Sequence, residues 1–149
     1  MLSPEEAWIW LLLLAGGAVF GLQGALMLAI RHRTGRWGAR LSRCERVLHT
    51  PEAFLVHRPV ADWAVGYYLL VLLTVGAALL QDAKWLAWLD GIVVVGVLAT
   101  CYYAFLLFFR LRLMCSGCVR LYFTNLLIAV SLGGFHWAEH PEHFTFPFL

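Results

Sequence analysis

Residues 7–30 are apolar throughout except for Gln23, a run of 24 positions. A helix needs only about 20 such residues to cross the hydrocarbon of a bilayer. Similar stretches follow at residues 62–81, 85–109 and 117–135. In lipid no water is present to satisfy backbone N–H and C=O groups, so each stretch must close its hydrogen bonds within itself as a helix. Composition agrees: 62% of the 149 residues are hydrophobic and 13% charged, with a mean hydropathy of +0.76, more apolar surface than one soluble core of this size can hide. The expected fold is all-α. It is a polytopic membrane protein with one domain over residues 1–149, a four-transmembrane-helix bundle whose first and second spans are joined by a long loop carrying a short amphipathic helix.

The N-terminus reads as the start of the first span and not as a cleavable signal, because Met1 to Glu6 carries no Lys or Arg. Ser3, Pro4 and Glu6 have the pattern of a capped helix start. Gly16, Gly17, Gly21 and Gly24 permit close packing against a neighbour, and Gln23 is expected to face the bundle. The loop that follows is basic, with Arg31, Arg33, Arg36, Arg40, Arg43, Arg46 and Arg58. Within it, residues 39–48 have amphipathic spacing that would lay Leu41, Val47 and Leu48 on the membrane surface. Phe54, Leu55 and Val56 form a second apolar patch, suited to a lid over the bundle or to an interfacial anchor. Asp62 is placed to cap the second helix. The polar turn at residues 81–84 is short enough to force an antiparallel hairpin. Beyond it, Trp85 and Trp88 mark an interface, and Asp90 is expected to reach back to Lys84, with a place in a proton path as the alternative.

Counting spans up and down puts the loop with Cys44 and the turn with Cys115 and Cys118 on one side of the membrane. Both termini and the turn at Asp82 fall on the other. Cys101 is nine residues before Arg110, roughly 14 Å below the thiol-side interface, and is expected to be a packing residue.

Cys115 and Cys118 carry the chemistry. A Cys-x-x-Cys at a helix start gains from free N–H groups and from the positive end of the helix dipole, both of which favour thiolate, and Arg120 adds charge nearby. Half of a zinc site and a pair of structural cysteines are the competing readings. No second Cys-x-x-Cys follows to complete a zinc site, and the His-x3-His formed by His136 and His140 falls on the membrane face opposite the thiols. The C-terminal His136, His140 and His143 are loosely spaced around Pro141, so no metal site is expected there either.

Cys44-Glu45-Arg46-Val47 in the first loop, together with Cys115-x-x-Cys118-x-x-x-Tyr122-x-x-Asn125 at the fourth helix, resembles the vitamin K epoxide reductase family. Helix order and loop sizes agree over most of the chain. The resemblance implies a membrane thiol:quinone oxidoreductase that forms disulfides in a thioredoxin-like partner or substrate and passes the electrons to a lipid quinone of the menaquinone, ubiquinone or vitamin K type. It implies that Cys118 faces the quinone, that Cys115 exchanges with Cys44, and that Tyr122 donates to a quinone carbonyl. Tyr67, Tyr68, Tyr102, Tyr103, Phe105 and Phe123 join Tyr122 as candidate walls of an apolar pocket. Two departures stand out. The family's other loop cysteine is missing around Arg36, Trp37 and Gly38, so either Cys44 exchanges singly with Cys115 and with a partner's thiol or the partner reaches the Cys-x-x-Cys pair directly. The polar residue that members place early in the second helix has no clear match, Asp62 being the nearest candidate.

Of eleven Lys and Arg residues, the ten arginines all lie on the thiol side and only Lys84 lies opposite. This positive-inside bias predicts cytoplasmic thiols. The periplasmic or extracellular side is the alternative, with the arginines meeting lipid headgroups or an acidic partner. Membrane lipids are expected partners and nucleic acid is not. A reading from another class is a scaffold or carrier whose Cys-x-x-Cys captures a thiophilic metal.

Overall fold

The computed structural model describes residues 4–36, 42–80 and 84–139, without the side chains of residues 4–7, 42 and 139. The cap at Ser3, the loop around Trp37 and Gly38, Leu41, the turn at residues 81–83 and the tail from His140 onward lie outside the described residues.

The elements are α1 (Pro4–Thr34), α2 (Ser42–Leu48), a 3-10 turn at Pro51–Ala53, a hairpin of β1 (Phe54–Leu55) and β2 (Arg58–Pro59), α3 (Val60–Leu80), α4 (Lys84–Phe105) running on into a π-helical turn at Leu106–Leu111, and α5 (Ser116–Glu139). Four of these helical segments, α1, α3, α4 with its π turn, and α5, are long and apolar enough to cross a membrane. They run a few residues past the apolar runs, because Arg31, Arg33 and other polar residues still make helical turns at the interface.

The spans close a ring in which α1 packs on α5 and α3, and α4 packs on α3 and α5. Large apolar side chains point outward, among them Leu12, Leu73, Leu98 and Phe123, as expected where the solvent is lipid and helix association depends on close fit. The interior is a column of Leu14, Ala18, Ala25, Tyr68, Val71, Leu89, Val93 and Ile128. Two glycines make this fit possible. A Cβ at Gly21 would overlap the ring of Tyr68 from α3, and one at Gly96 would overlap the ring of Tyr67. Gly16, by contrast, has no neighbour within reach of a Cβ.

Several expectations for single polar residues are corrected. Gln23 lies on the exposed outer face of α1, where it accepts from the Arg120 guanidinium at 3.4 Å. Asp62 sits inside the first turn of α3, and Arg33 draws it into an ion pair at 2.9 Å. Asp90 is bonded to His136 Nε2 at 2.8 Å, since α4 and α5 pack side by side at that end. Cys101 faces outward from the bundle and is exposed.

The apolar patch at Phe54 is a hairpin. Its two-residue turn has Val56 at φ 50° and His57 at φ 62°, the paired positive angles that match the twist of two antiparallel strands. A β-branched residue rarely holds that angle, and Val56 stands 73% exposed at the tip. Trp63 Nε1 donates to the Leu55 carbonyl at 3.0 Å and ties the hairpin to α3. Arg110 pairs with Glu52 at 3.5 Å and ties the 3-10 turn to the end of α4.

Candidate functional site

Helix α5 begins where Arg112, at φ 50°, turns the chain out of the π-helical stretch. Cys115 is its N-cap: the Cys115 carbonyl accepts the first helical bond, from Val119 N at 3.0 Å, and its Sγ accepts from Cys118 N at 3.3 Å. A thiol thus stands where Ser or Asp usually satisfies a free N–H of the first turn. From above, α2 lays Cys44 on the same spot, with its Sγ 4.0 Å from Ser116 Oγ. Cys44, Cys115, Val47 and Leu107 are buried together, and Leu111, Leu113, Cys118 and Tyr122 pack around them.

The three thiols form a chain of contacts. Cys44 touches Cys115, and Cys115 touches Cys118. The hydrogen bond with the Cys115 thiol pushes Cys44 well above the ordinary thiol range, and burial adds to it. Cys115 is pushed up to about 12, first by its bond with Cys118, against the lowering effects of Cys44 and of the Cys118 backbone N–H. The helix start does supply a hydrogen bond that favours thiolate. Sharing protons among three neighbouring sulfurs in a buried site outweighs it. The expected help from Arg120 is absent, because its guanidinium turns away from the thiols to lie 3.7 Å over the Phe20 ring of α1.

Beneath the thiols is a cavity of about 250 Å³. Its walls come from α3, α4, the π turn and α5 with Leu28 of α1, and its roof from α2, the 3-10 turn and Leu55. Of the three thiols, Cys118 alone lines it. Among the aromatic residues expected around a pocket, Tyr67, Tyr68, Tyr103 and Tyr122 line it. Tyr102, Phe105 and Phe123 point outward, exposed. The π turn widens α4 so that Leu106, Leu107 and Leu111 all reach the cavity.

The polar groups in this apolar chamber are few. Tyr67 Oη and Asn125 Oδ1 are buried without a hydrogen-bond partner. The Asn125 amide donates to Thr100 Oγ1 at 2.6 Å; turning the amide over would let it accept from Thr100 and present its N–H2 to the cavity instead. Unpaired buried groups of this kind are costly, and with the amide so turned a flat ligand with two carbonyl oxygens would accept from both the Tyr67 hydroxyl and the Asn125 N–H2. Asp62 is not in this chamber, and the unpaired polar group that α3 supplies is the Tyr67 hydroxyl. Sequence spacing missed Trp63 and Thr100, which carry no motif, and only the assembled helices bring them to the cavity.

Among the described residues no group of three or more His, Cys, Asp and Glu side chains has a metal-holding arrangement. Compared with family models, the chain matches that of the Vitamin K epoxide reductase family over residues 10–132, a span that includes Cys44, Cys115, Cys118, Tyr122 and Asn125. Compared with curated proteins one by one, it has no match.

Proposed function

The chain belongs to the vitamin K epoxide reductase family of membrane thiol oxidoreductases, and from that premise we propose that it oxidises thiols of a thioredoxin-like partner and passes the electrons to a lipid quinone. The observation that carries this reading is the order of the sulfurs. Cys44 is brought in by α2, Cys115 lies between, and Cys118 borders the apolar cavity. That order suits a relay from a water-side thiol donor to a membrane-side acceptor.

A quinone supplies an acceptor for two electrons and two protons. The protein's own steps balance that demand. Cys118 and Cys115 give up two protons and two electrons and close a disulfide. Cys44 then attacks Cys115, which moves the disulfide to Cys44 and Cys115 and frees Cys118. A partner thiol attacks Cys44 and releases Cys115, and the partner's second thiol resolves the mixed disulfide. The partner leaves oxidised and all three thiols are reduced again. Because the sequence has no second loop cysteine, Cys44 takes the partner's sulfur directly, and because Cys44 and Cys115 are both buried, α2 must lift for that exchange. In the cavity, Tyr67, Asn125 and Tyr122 would hold the quinone oxygens, and the neighbouring tyrosine rings and leucines would exclude water.

The arginine bias supports thiols on the cytoplasmic side, a placement suited to cells whose interior proteins carry disulfides. The deciding experiment follows a short-chain quinone with a dithiol as donor. Wild type should turn it over and Cys118→Ala should not. A protein that binds a thiophilic metal tightly and shows no quinone turnover would be a carrier instead.

A further inference from the structure

A second groove, of about 410 Å³, lies outside the thiol site, between α1 and α3. Each helix contributes one stripe: Leu26, Ala29, Ile30 and Arg33 from α1, and Asp62, Val65, Gly66 and Leu69 from α3. Both stripes have the spacing of a single helix face and run for roughly 10 Å. Leu26, Ile30 and Leu69 are exposed, so the groove opens toward lipid. Gly66 has no atom within 4 Å of where a Cβ would stand, which leaves the floor hollow. Polarity is confined to one end, where Arg33 and Asp62 pair and Arg58 from β2 joins the lining. Among the described residues Arg58 has no carboxylate partner. Two guanidinium groups and one carboxylate leave the mouth with one net positive charge, at the depth where the last turn of α1 meets the first turn of α3.

We propose that this groove holds one anionic phospholipid, with its phosphodiester on Arg58 and Arg33 and an acyl chain lying along Leu26, Ile30 and Leu69 over Gly66. An amphiphile with one negative charge matches both the charged mouth and the apolar trough, whereas a soluble anion would leave the trough empty. Arg58 continues into the hairpin that roofs the thiol cavity, so the lipid would also steady that roof.

The test uses the full chain in mild detergent, with phosphatidylglycerol and phosphatidylcholine added in equal amounts and adducts counted by native mass spectrometry. One phosphatidylglycerol should be retained, favoured over phosphatidylcholine by about five-fold, the scale of one arginine near a headgroup. Gly66→Leu, which fills the trough without changing charge, and Arg58→Gln, a surface change that leaves the bundle intact, should each abolish the preference. Arg112→Gln, which removes an exposed arginine elsewhere, should leave it unchanged. An equal loss in Arg112→Gln would overturn the proposal in favour of diffuse attraction. A retained adduct in Gly66→Leu of wild-type helix content, or displacement of the lipid by glycerol phosphate, would overturn it as well.

Discussion

At the residue scale the site is governed by how three sulfurs share protons. The bond from Cys118 is the largest influence raising Cys115. Cys118→Ala removes it and leaves the bond from Cys44, which lowers Cys115. The midpoint of Cys115 alkylation against pH should therefore fall in Cys118→Ala, as read by peptide-resolved labelling across a pH series. An unchanged or higher midpoint would mean that burial, not the neighbouring thiol, controls the group. Tyr122 gives a second prediction. Its ring lines the cavity one helical turn beyond Cys118, where a hydrogen bond to a charge-bearing oxygen contributes about 1.5–3 kcal/mol. Tyr122→Phe should lower kcat/KM for quinone by roughly 10- to 150-fold while thiol alkylation stays at the wild-type rate. Quinone kinetics equal to wild type would assign the ring to packing.

At the scale of elements, the cavity exists because two kinds of contact hold its walls and roof. Helices α3 and α4 approach closely where the Tyr67 ring lies over Gly96, which also fixes the buried Tyr67 hydroxyl in the chamber. Gly96→Ala drives a methyl into that ring. It should cost about 1–3 kcal/mol of stability, seen as a lower Tm in detergent, together with a higher KM for quinone; a variant with wild-type Tm and KM would show that the ring shifts freely. The roof is held more lightly. The ion pair of Arg110 with Glu52 has an exposed arginine and contributes little, so the bond from Trp63 to the Leu55 carbonyl is the firmer tie, at about 0.5–1.5 kcal/mol. Trp63→Phe should make the segment from His49 to Pro59 cut faster in limited proteolysis while the four spans remain protected. Cleavage at the wild-type rate would place the tie elsewhere.

At the scale of the whole molecule, orientation is the open prediction. Because Cys44 and Cys115 are buried, the hairpin tip is the better reporter of side. Val56→Cys, mapped by peptide after treatment of intact spheroplasts with a membrane-impermeant thiol reagent, should stay unlabelled if the thiol side is cytoplasmic and react once the cells are opened. Labelling in intact spheroplasts would reverse the orientation and leave the arginines to outer-leaflet lipids or an acidic partner.

Four membrane-crossing helices, their order, the basic loop and the pairing of Cys44 with the Cys-x-x-Cys side were legible in the chain. Each depends on local quantities: the length of an apolar run, the count of crossings, the spacing of two cysteines. Family kinship was legible as well, in the run from Cys115 to Asn125. The partners of polar side chains were not. Gln23 was expected inside and lies outside with Arg120, Asp90 was expected with Lys84 and meets His136, and Asp62 was expected as a cap and is held by Arg33. Each outcome depends on which face of one helix meets which face of another, and the near-uniform apolarity of a membrane span gives little amphipathic bias from which to read that rotation. The same reason separates Tyr67 and Tyr122, which line the chamber, from Tyr102 and Phe123, which face lipid: all four are aromatic residues in spans, and only the packed ring of helices decides which of them turn inward.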